Sequence, residues 1–207
     1  MSSRTRVAVL DYGIGNLRSA QKALERVGAD AVLTSDSSVA ENSDAVVLPG
    51  VGAFGACMSA LRDAGLESVV HGAVNSGLPF LGICVGMQML FDASDEDPSA
   101  AGLGIIPGVV SWIPDSVPRP QMQWNQLQLT SNDSLFNGLG EHPWMYFVHS
   151  LHGVPVNKEH VAATVQYGAT LNVAFRKGNV CATQFHPEKS AASGLALLQN
   201  FVRSAAP

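Results

Sequence analysis

The sequence predicts an α/β fold with a flavodoxin-like, mostly parallel central sheet that is flanked by helices. Short apolar runs typical of buried strands alternate with segments whose apolar residues recur at helical spacing. Four such strands fall in the first half of the chain, at Val7–Leu10, Ala31–Thr34, Ala45–Leu48 and Phe80–Ile83. From residue 102 onwards short β-type pieces prevail, and these predict antiparallel hairpins added to the sheet in the C-terminal half.

The composition indicates a single domain over residues 1–207. The chain is 46% hydrophobic and only 14% charged, which suits a large core and little disorder. The formal net charge of -5, without a run of Lys or Arg, argues against a nucleic-acid partner. Cys57, Cys84 and Cys181 are an odd number without metal-like spacing, so neither a disulfide framework nor a metal site is predicted. No cofactor is predicted either.

The cytoplasm is the expected compartment. No apolar stretch approaches membrane-spanning length without a break, and Met1–Arg6 lead directly into the first strand instead of a signal-peptide core. The cysteine usage also favours a reducing environment.

A glycine-rich loop, Asp11–Asn16, follows the first strand and precedes a helix. Asn16 is predicted to cap the start of this helix and Gly28 to end it. The loop has two of the three glycines of a dinucleotide-binding fingerprint. Arg18 stands at the third position, where its bulk would block close helix–strand packing, so we do not predict a dinucleotide site.

The remaining elements follow from the same patterns. Helical material is expected from about Ala56 to Ser76, and a polar, turn-like segment from Asp92 to Ala101. Ser190 is predicted to cap a final helix that has an apolar face. Strands in the C-terminal half are predicted at Trp144–His149, Val161–Val165, Asn172–Arg176 and Val180–Phe185.

The third strand ends in a glycine-rich loop, Pro49–Gly55, at the edge where open α/β sheets bind ligands. Glycine can present a backbone N–H to a reacting atom because no side chain stands in the way. An ordinary turn would use the same residues, so the loop alone does not decide between the two interpretations.

Cys84 lies in a pattern typical of a nucleophile elbow. Phe80–Ile83 end a strand and apolar residues up to Phe91 recur at helical spacing, so the cysteine falls on the turn between them. Such a turn crowds the positions two before and two after it, and Gly82 and Gly86 remove those side chains. A helix N-terminus supplies only part of the free energy that a thiolate needs, so a cationic partner is expected. The alternative is a small buried cysteine in a glycine-rich turn.

His186 is the histidine best placed to be that partner. It is the only one of six histidines that ends a strongly apolar strand, and Pro187 biases it toward an extended conformation. In an extended segment residues two apart project to the same side, so Glu188 can orient the imidazole. Cys84, His186 and Glu188 then make a nucleophile, a base and an orienting carboxylate, whereas an isolated His-Pro-Glu is usually a surface turn.

Three segments resemble the signature blocks of the class I glutamine amidotransferases: Pro49–Gly52, Gly82–Gln88 and Gln184–Ser190. Within that class the chain resembles, over nearly its whole length, the glutaminase subunits of imidazole glycerol phosphate synthase. The segments that point to this subfamily are Asp11–Leu17, Pro120–Asn125 and Tyr146–Ser150.

The resemblance implies that the chain takes glutamine as substrate and passes its ammonia to a barrel-type cyclase subunit (HisF) in a heterodimer of histidine biosynthesis. It implies catalysis by Cys84, His186 and Glu188, with an oxyanion hole made by the backbone N–H groups of Gly52 and Val85. The residues that it implies for glutamine binding are Gly50, Val51, Gln88, His149, Ser150 and Leu151. Those that it implies for the partner interface are Asn16, Trp124, Tyr146 and Lys189.

Three residues depart from the family pattern. Gln121 and Gln123 stand where the family block Pro-His-Met-Gly-Trp-Asn has histidine and glycine, and Leu151 replaces an aromatic residue. We expect these departures to change local details of the interface and of the glutamine pocket, and not the chemistry.

Three other functions remain open at this point. A glutaminase that serves another synthase would co-purify with a different partner. A stand-alone γ-glutamyl hydrolase would be fully active without any partner. A catalytically silent binding module would have no reason to combine all three triad residue types in these contexts.

Overall fold

The computed structural model describes residues 4–205 and places their strands in one large and two small sheets. The predicted domain also includes residues 1–3 and 206–207, which lie outside the described part. In the described part the strands are β1 (Arg6–Leu10), β2 (Asp30–Thr34), β3 (Ala45–Gly50), β4 (Phe80–Cys84), β5 (Phe91–Ser94), β6 (Ile106–Trp112), β7 (Gln121–Gln126), β8 (Gln128–Leu129), β9 (Trp144–His149), β10 (Leu151–Pro155), β11 (Val161–Gln166), β12 (Thr170–Lys177) and β13 (Val180–Thr183).

The large sheet has the strand order β2-β1-β3-β4-β13-β12-β11-β8. The first five strands pair in parallel and the last three pair antiparallel. The parallel part follows the flavodoxin-like order 2-1-3-4-5, as the sequence predicts. Strands β3 and β4 are buried along their whole length, as expected for central parallel strands that are covered on both faces.

The antiparallel strands of the C-terminal half are divided among the three sheets. Strands β8, β11 and β12 extend the large sheet, as the sequence predicts. Strands β10, β6 and β5 form a three-stranded sheet, and β7 and β9 form a two-stranded sheet in which Gln121 lies opposite His149. The two small sheets were not predicted, because their strand partners are far apart in the sequence.

The described helices are α1 (Leu17–Arg26), α2 (Ser37–Glu41), α3 (Phe54–Asp63), α4 (Glu67–Asn75), α5 (Val85–Gln88) and α6 (Ala191–Ser204). The helical stretch predicted from Ala56 to Ser76 is two helices, because Gly65 adopts a φ of +70° between them. Within residues 4–205 no helix has the length and hydrophobicity needed to cross a membrane.

The segment after the elbow is less helical than the sequence predicts. Helix α5 is one turn long, and Phe91 begins β5. The carbonyls of Met89 and Leu90 accept hydrogen bonds from the N–H groups of Leu103 and Ile106, at 2.8 Å each. These contacts draw the chain out of the helix, so the predicted polar turn begins with a strand.

Two predicted helix caps have the expected position but lack the expected hydrogen bond. Asn16 and Ser190 occupy the N-cap positions of α1 and α6, but neither side chain makes a capping hydrogen bond. The Ser190 hydroxyl instead donates to the His186 carbonyl (2.6 Å) and accepts from the Tyr146 N–H (2.9 Å). This serine therefore ties β9 to the loop that carries His186. Gly28 ends α1 with a φ of +98°, as predicted.

Candidate active site

Cys84 stands on a sharp turn between β4 and α5. Its φ of 56° lies in the left-handed region, which is uncommon for residues other than glycine. A side chain at position 86 would overlap the Leu48 carbonyl, and one at position 82 would lie 3.0 Å from Met87 Cα. Gly82 and Gly86 therefore permit the turn, for the steric reason that the sequence suggests.

Adjacent parallel strands bring His186 to the cysteine. Strand β13 pairs with β4, with Thr183 beside Ile83, and both chains continue past the same edge of the sheet. Cys84 and His186 line one cavity of about 310 Å³. The imidazole Nδ1 lies 2.8 Å from the Glu188 carboxylate, and both side chains are at most 3% exposed. The three residues of the predicted triad thus come together.

The His186–Glu188 pair favours an imidazolium. Burial alone would lower the pKa of His186, but its hydrogen bonds to Cys84 and Glu188 raise that pKa to about 10. The resulting cation lies beside the thiol, where the sequence argument requires one. The second carboxylate oxygen of Glu188 has no hydrogen-bond partner in the described part of the chain, so the carboxylate depends on the imidazolium for its stabilisation.

The predicted oxyanion donors border the same cavity. Gly52 lies in the loop after β3 with a φ of +92°, and Val85 is the first residue of α5. The pairing of β3 with β4 continues to Gly50, which lies opposite Cys84, so the loop begins beside the nucleophile. A side chain at position 50 would lie 2.6 Å from the Gly86 nitrogen, and only glycine permits this approach.

Most residues that were predicted to bind a ligand also line the cavity. They are Val51, Gln88, His149, Ser150 and Leu151. Gly50 does not line it, because this glycine packs behind the loop against Gly86 and the Tyr12 hydroxyl.

Glu96 and Gln184 lie at the site, and the sequence argument did not assign either a role. Glu96 contributes a carboxylate to the cavity, and its Oε2 accepts a hydrogen bond from the Phe54 N–H (2.6 Å). Gln184 is fully buried, with its Nε2 3.8 Å from Cys84 Sγ, and its Oε1 accepts from Gln88 Nε2 (3.0 Å). Gln184 precedes the triad histidine by two residues, a spacing that indicates a shared face. Glu96 lies in a polar segment that carries no comparable signal.

The hydrogen bonds of His149 indicate its protonation state. Its Nδ1 lies 2.7 Å from the Leu151 carbonyl, which can only accept, so Nδ1 carries a proton. Its Nε2 lies 2.9 Å from Gln121 Oε1, and a flip of this amide would exchange its oxygen and nitrogen. A neutral ring needs a donor there, and Gln121 supplies one when its amide nitrogen faces the ring. This orientation also gives a partner to that nitrogen, which otherwise has none within residues 4–205. Burial lowers the pKa of His149 to about 4, in agreement with a neutral ring.

The neutral His149 predicts a pH dependence of stability. Its pKa of about 4 in the folded state, against an ordinary value of 6.5, means that the unfolded chain binds the extra proton between these values. The stability from this group is present above about pH 6.5 and is lost as the pH falls toward about 4, by about 3 kcal/mol in total. Denaturant unfolding at about pH 7 and about pH 4.5 should show a smaller acid-induced loss in His149→Gln than in the wild type. An equal loss in both proteins would mean that His149 is charged in the folded state.

The residues predicted for a partner interface lie on neighbouring segments, with Trp124 and Lys189 exposed and Asn16 and Tyr146 half-buried. Trp124 and Tyr146 are a cross-strand pair of β7 and β9 with ring centroids 5.9 Å apart, and Trp124 is 44% exposed. Lys189 is exposed on the 3₁₀ turn Pro187–Lys189, which contacts both β9 and α1. Asn16 immediately precedes α1. These contacts make the four residues parts of one neighbourhood.

Comparison with known proteins identifies the family. The glutamine amidotransferase class-I family matches residues 8–205. The imidazole glycerol phosphate synthase subunit HisH of Synechococcus elongatus is 49% identical over 210 residues, which cover 100% of this chain and 96% of that protein. The protein of the same name from Salinibacter ruber is 45% identical over 200 residues, which cover 93% of this chain and 92% of that protein.

A solved structure agrees with these matches. The crystal structure of a glutamine amidotransferase superimposes with a TM-score of 0.76 at 25% identity, covering 96% of this chain and 98% of the other. The chain therefore belongs to the class-I glutamine amidotransferases and, within them, to the family of imidazole glycerol phosphate synthase subunits HisH.

Proposed function

We propose that the chain is the glutaminase subunit of an imidazole glycerol phosphate synthase. It releases ammonia from glutamine and supplies it to a cyclase subunit that forms imidazole glycerol phosphate and AICAR in histidine biosynthesis. The proposal depends on one observation: in a chain of the HisH family, Cys84 and His186 line one cavity, and Glu188 is hydrogen-bonded to the His186 imidazole.

In the proposed reaction the Cys84 thiolate attacks the side-chain amide carbon of glutamine, and the amide oxygen becomes an oxyanion. The backbone N–H groups of Gly52 and Val85 stabilise that charge. The His186 imidazolium gives its proton to the amide nitrogen, the C–N bond breaks, and ammonia leaves a γ-glutamyl thioester on Cys84. Neutral His186 then takes a proton from the water that attacks the thioester, which releases glutamate and restores the thiolate and the imidazolium.

The second and third triad residues should differ in their effect on turnover. We expect Glu188→Gln to lower kcat by roughly 10²- to 10⁴-fold, and His186→Ala to lower it further. A neutral amide still orients the ring but does not stabilise the imidazolium, whereas alanine removes the proton donor itself. Steady-state kinetics across a pH series measure both variants, with the loss expected mainly in kcat. Unchanged kinetics in Glu188→Gln would remove this residue from the triad.

We assign recognition of the α-ammonium group of glutamine to Glu96. Its carboxylate lines the cavity and bears the charge opposite to that group. Neutral donors and acceptors for the other polar atoms of glutamine come from the Gln88 side chain and from the backbone of residues 149–151.

Glu96→Gln should raise KM for glutamine by about 10- to 100-fold with a smaller change in kcat, because a charge-assisted hydrogen bond is lost. The amide keeps an oxygen that can accept from the Phe54 N–H, so the start of α3 is preserved. Asp95→Asn is the matched control, since Asp95 is a neighbouring exposed carboxylate that does not line the cavity. A KM that stays at the wild-type value in Glu96→Gln would refute this assignment.

The exposed face around Trp124 is the proposed docking surface for the barrel-type cyclase subunit. Met122 and Trp144 on the same two-stranded sheet are 63% and 51% exposed, so this face presents large apolar side chains. Lys189 adds a positive charge directly after Glu188, and Tyr146 joins the face to the loop of the triad through its hydrogen bonds with His186 and Ser190. Docking here would bring the cyclase subunit close to the site of ammonia release.

Co-purification with a barrel-type cyclase subunit (HisF), followed by glutaminase assays with and without it, tests the proposed function. The expected result is a heterodimer that makes imidazole glycerol phosphate from glutamine. Trp124→Asp should prevent its assembly, whereas Trp112→Asp, at a tryptophan that is 43% exposed on β6, should not. Assembly with another synthase instead, or full glutaminase activity without any partner, would replace the proposal by one of the two alternatives from the sequence.

A further inference from the structure

Two buried side chains hold the loop that carries the proposed oxyanion donor. The Tyr12 hydroxyl donates a hydrogen bond to the Pro49 carbonyl (2.7 Å), and the Cys57 thiol donates one to the Val51 carbonyl (3.3 Å). Tyr12 lies in the loop after β1 and is 5% exposed, and Cys57 lies on α3 and is fully buried. Neither residue lines the cavity, so neither is placed to touch a ligand bound in it.

Both groups remain protonated and can donate. Burial raises the pKa of the Tyr12 hydroxyl and that of the Cys57 thiol. A side chain at Gly50 would lie 2.8 Å from the Tyr12 hydroxyl, which shows how closely the chain packs on this tyrosine.

The two hydrogen bonds fix alternate peptides of the loop. In a planar trans peptide the C=O and N–H groups point in opposite directions, so a Val51 carbonyl that is held by Cys57 turns the Gly52 N–H away from that thiol. The hydrogen bond from Tyr12 to the Pro49 carbonyl fixes the peptide between Pro49 and Gly50 in the same way. Within residues 4–205 no side chain hydrogen-bonds to the intervening peptide between Gly50 and Val51. Strand β3 ends at Gly50, so without the Cys57 clamp the peptide between Val51 and Gly52 would be free to rotate.

We propose that Tyr12 and Cys57 are positioning residues for the oxyanion hole. They hold the Pro49 and Val51 carbonyls and thereby aim the Gly52 N–H at the oxyanion that forms during attack on glutamine. This inference rests on the proposed glutaminase function. It gives the buried thiol of Cys57 a part in turnover that differs from the nucleophilic part of Cys84.

Four variants of the complex with the cyclase subunit test the proposal. Cys57→Ala removes the donor, Cys57→Ser replaces it by a hydroxyl donor, and Tyr12→Phe removes a single oxygen atom. Cys181→Ala is the matched control, because Cys181 is also buried, at 1% exposure, but lies on β13. Glutaminase kcat and KM are measured together with thermal unfolding, so that a loss of fold is recognised.

We expect Cys57→Ala and Tyr12→Phe to lower kcat by roughly 10- to 100-fold, less than complete removal of an oxyanion donor, with KM within about twofold of wild type. Cys57→Ser should recover most of the turnover, and Cys181→Ala should retain all of it. Unchanged kcat in Tyr12→Phe and Cys57→Ala, or an equal loss in Cys181→Ala, would overturn the proposal. If Cys57→Ala does not fold, Tyr12→Phe decides the matter, since it leaves no cavity of comparable size.

Failure of this inference is distinguishable from failure of the proposed function. Cys84→Ser is measured in parallel, and it should be inactive toward glutamine whether or not the clamp matters. An active Cys84→Ser protein would refute the triad itself, whereas an inactive one beside a fully active Tyr12→Phe would refute only the clamp.

Discussion

Cys84→Ala and Cys84→Ser are expected to abolish glutamine-dependent synthesis by the assembled pair, by at least about 10⁴-fold, and to leave ammonia-dependent synthesis at the wild-type rate. In the proposed function Cys84 acts only in the release of ammonia, and the acceptor reaction takes place on the cyclase subunit. The serine variant does not restore glutamine-dependent synthesis, because an alcohol is a much weaker acid than a thiol. The neighbouring imidazolium therefore cannot keep the serine hydroxyl ionised.

The measurement compares product formation with saturating glutamine and with an ammonium salt. Cys181→Ser, at a buried cysteine of β13, is the control for the loss of a core thiol. If the Cys84 variants lost both activities equally, the cysteine would be a structural residue, and the elbow would have to be read as a glycine-rich turn.

The second large effect concerns activation by the partner. We expect the isolated chain to hydrolyse glutamine slowly, and the rate to rise by about 100- to 1,000-fold when the cyclase subunit and its nucleotide ligand bind. This factor is the typical effect of one oxyanion donor on the rate. Free ammonia is lost when glutamine is hydrolysed without an acceptor, so an incomplete site is useful in the isolated subunit. The Gly50–Val51 peptide lies between the two clamped carbonyls of the loop, and glycine lets it rotate, so that the Val51 N–H can turn toward the oxyanion as a further donor beside those of Gly52 and Val85.

Steady-state glutaminase rates for the chain alone, with the partner, and with partner and ligand decide this prediction. The increase should fall on kcat, because the change acts on the transition state and not on the binding of glutamine. A chain that already runs at the full rate alone would mean a preformed oxyanion hole, and the stand-alone hydrolase would become the better proposal.

The parts of the fold that the sequence predicted are those with local causes. The first four strands follow from short apolar runs, and the elbow follows from the steric need for Gly82 and Gly86 around Cys84. His186 and Glu188 pair as the sequence predicts, and His186 is extended, with φ -98° and ψ 97°. The extended segment predicted beyond it is wrong, because Pro187–Lys189 form a 3₁₀ turn that brings the Glu188 carboxylate to the ring.

The parts that escaped prediction depend on contacts between distant segments. Helix α5 is short because the chain after it bonds to Leu103 and Ile106, which no local pattern reveals. Ser190 has the sequence context of a helix cap, but its hydroxyl accepts a hydrogen bond from the Tyr146 N–H of β9 instead. Glu96 reaches the cavity from a polar segment that has no periodicity, and Cys57 reaches the loop only through the packing of α3.

The most direct test of the proposed function identifies the residue that attacks the side-chain amide carbon of glutamine. A glutamine analogue with an electrophilic diazoketone in place of the amide is incubated with the assembled pair, and the modified peptide is identified by mass spectrometry. We expect one adduct per chain, on Cys84, prevented by excess glutamine and absent in His186→Ala at short times. An adduct on Cys57 or Cys181, or no adduct that glutamine prevents, would contradict it.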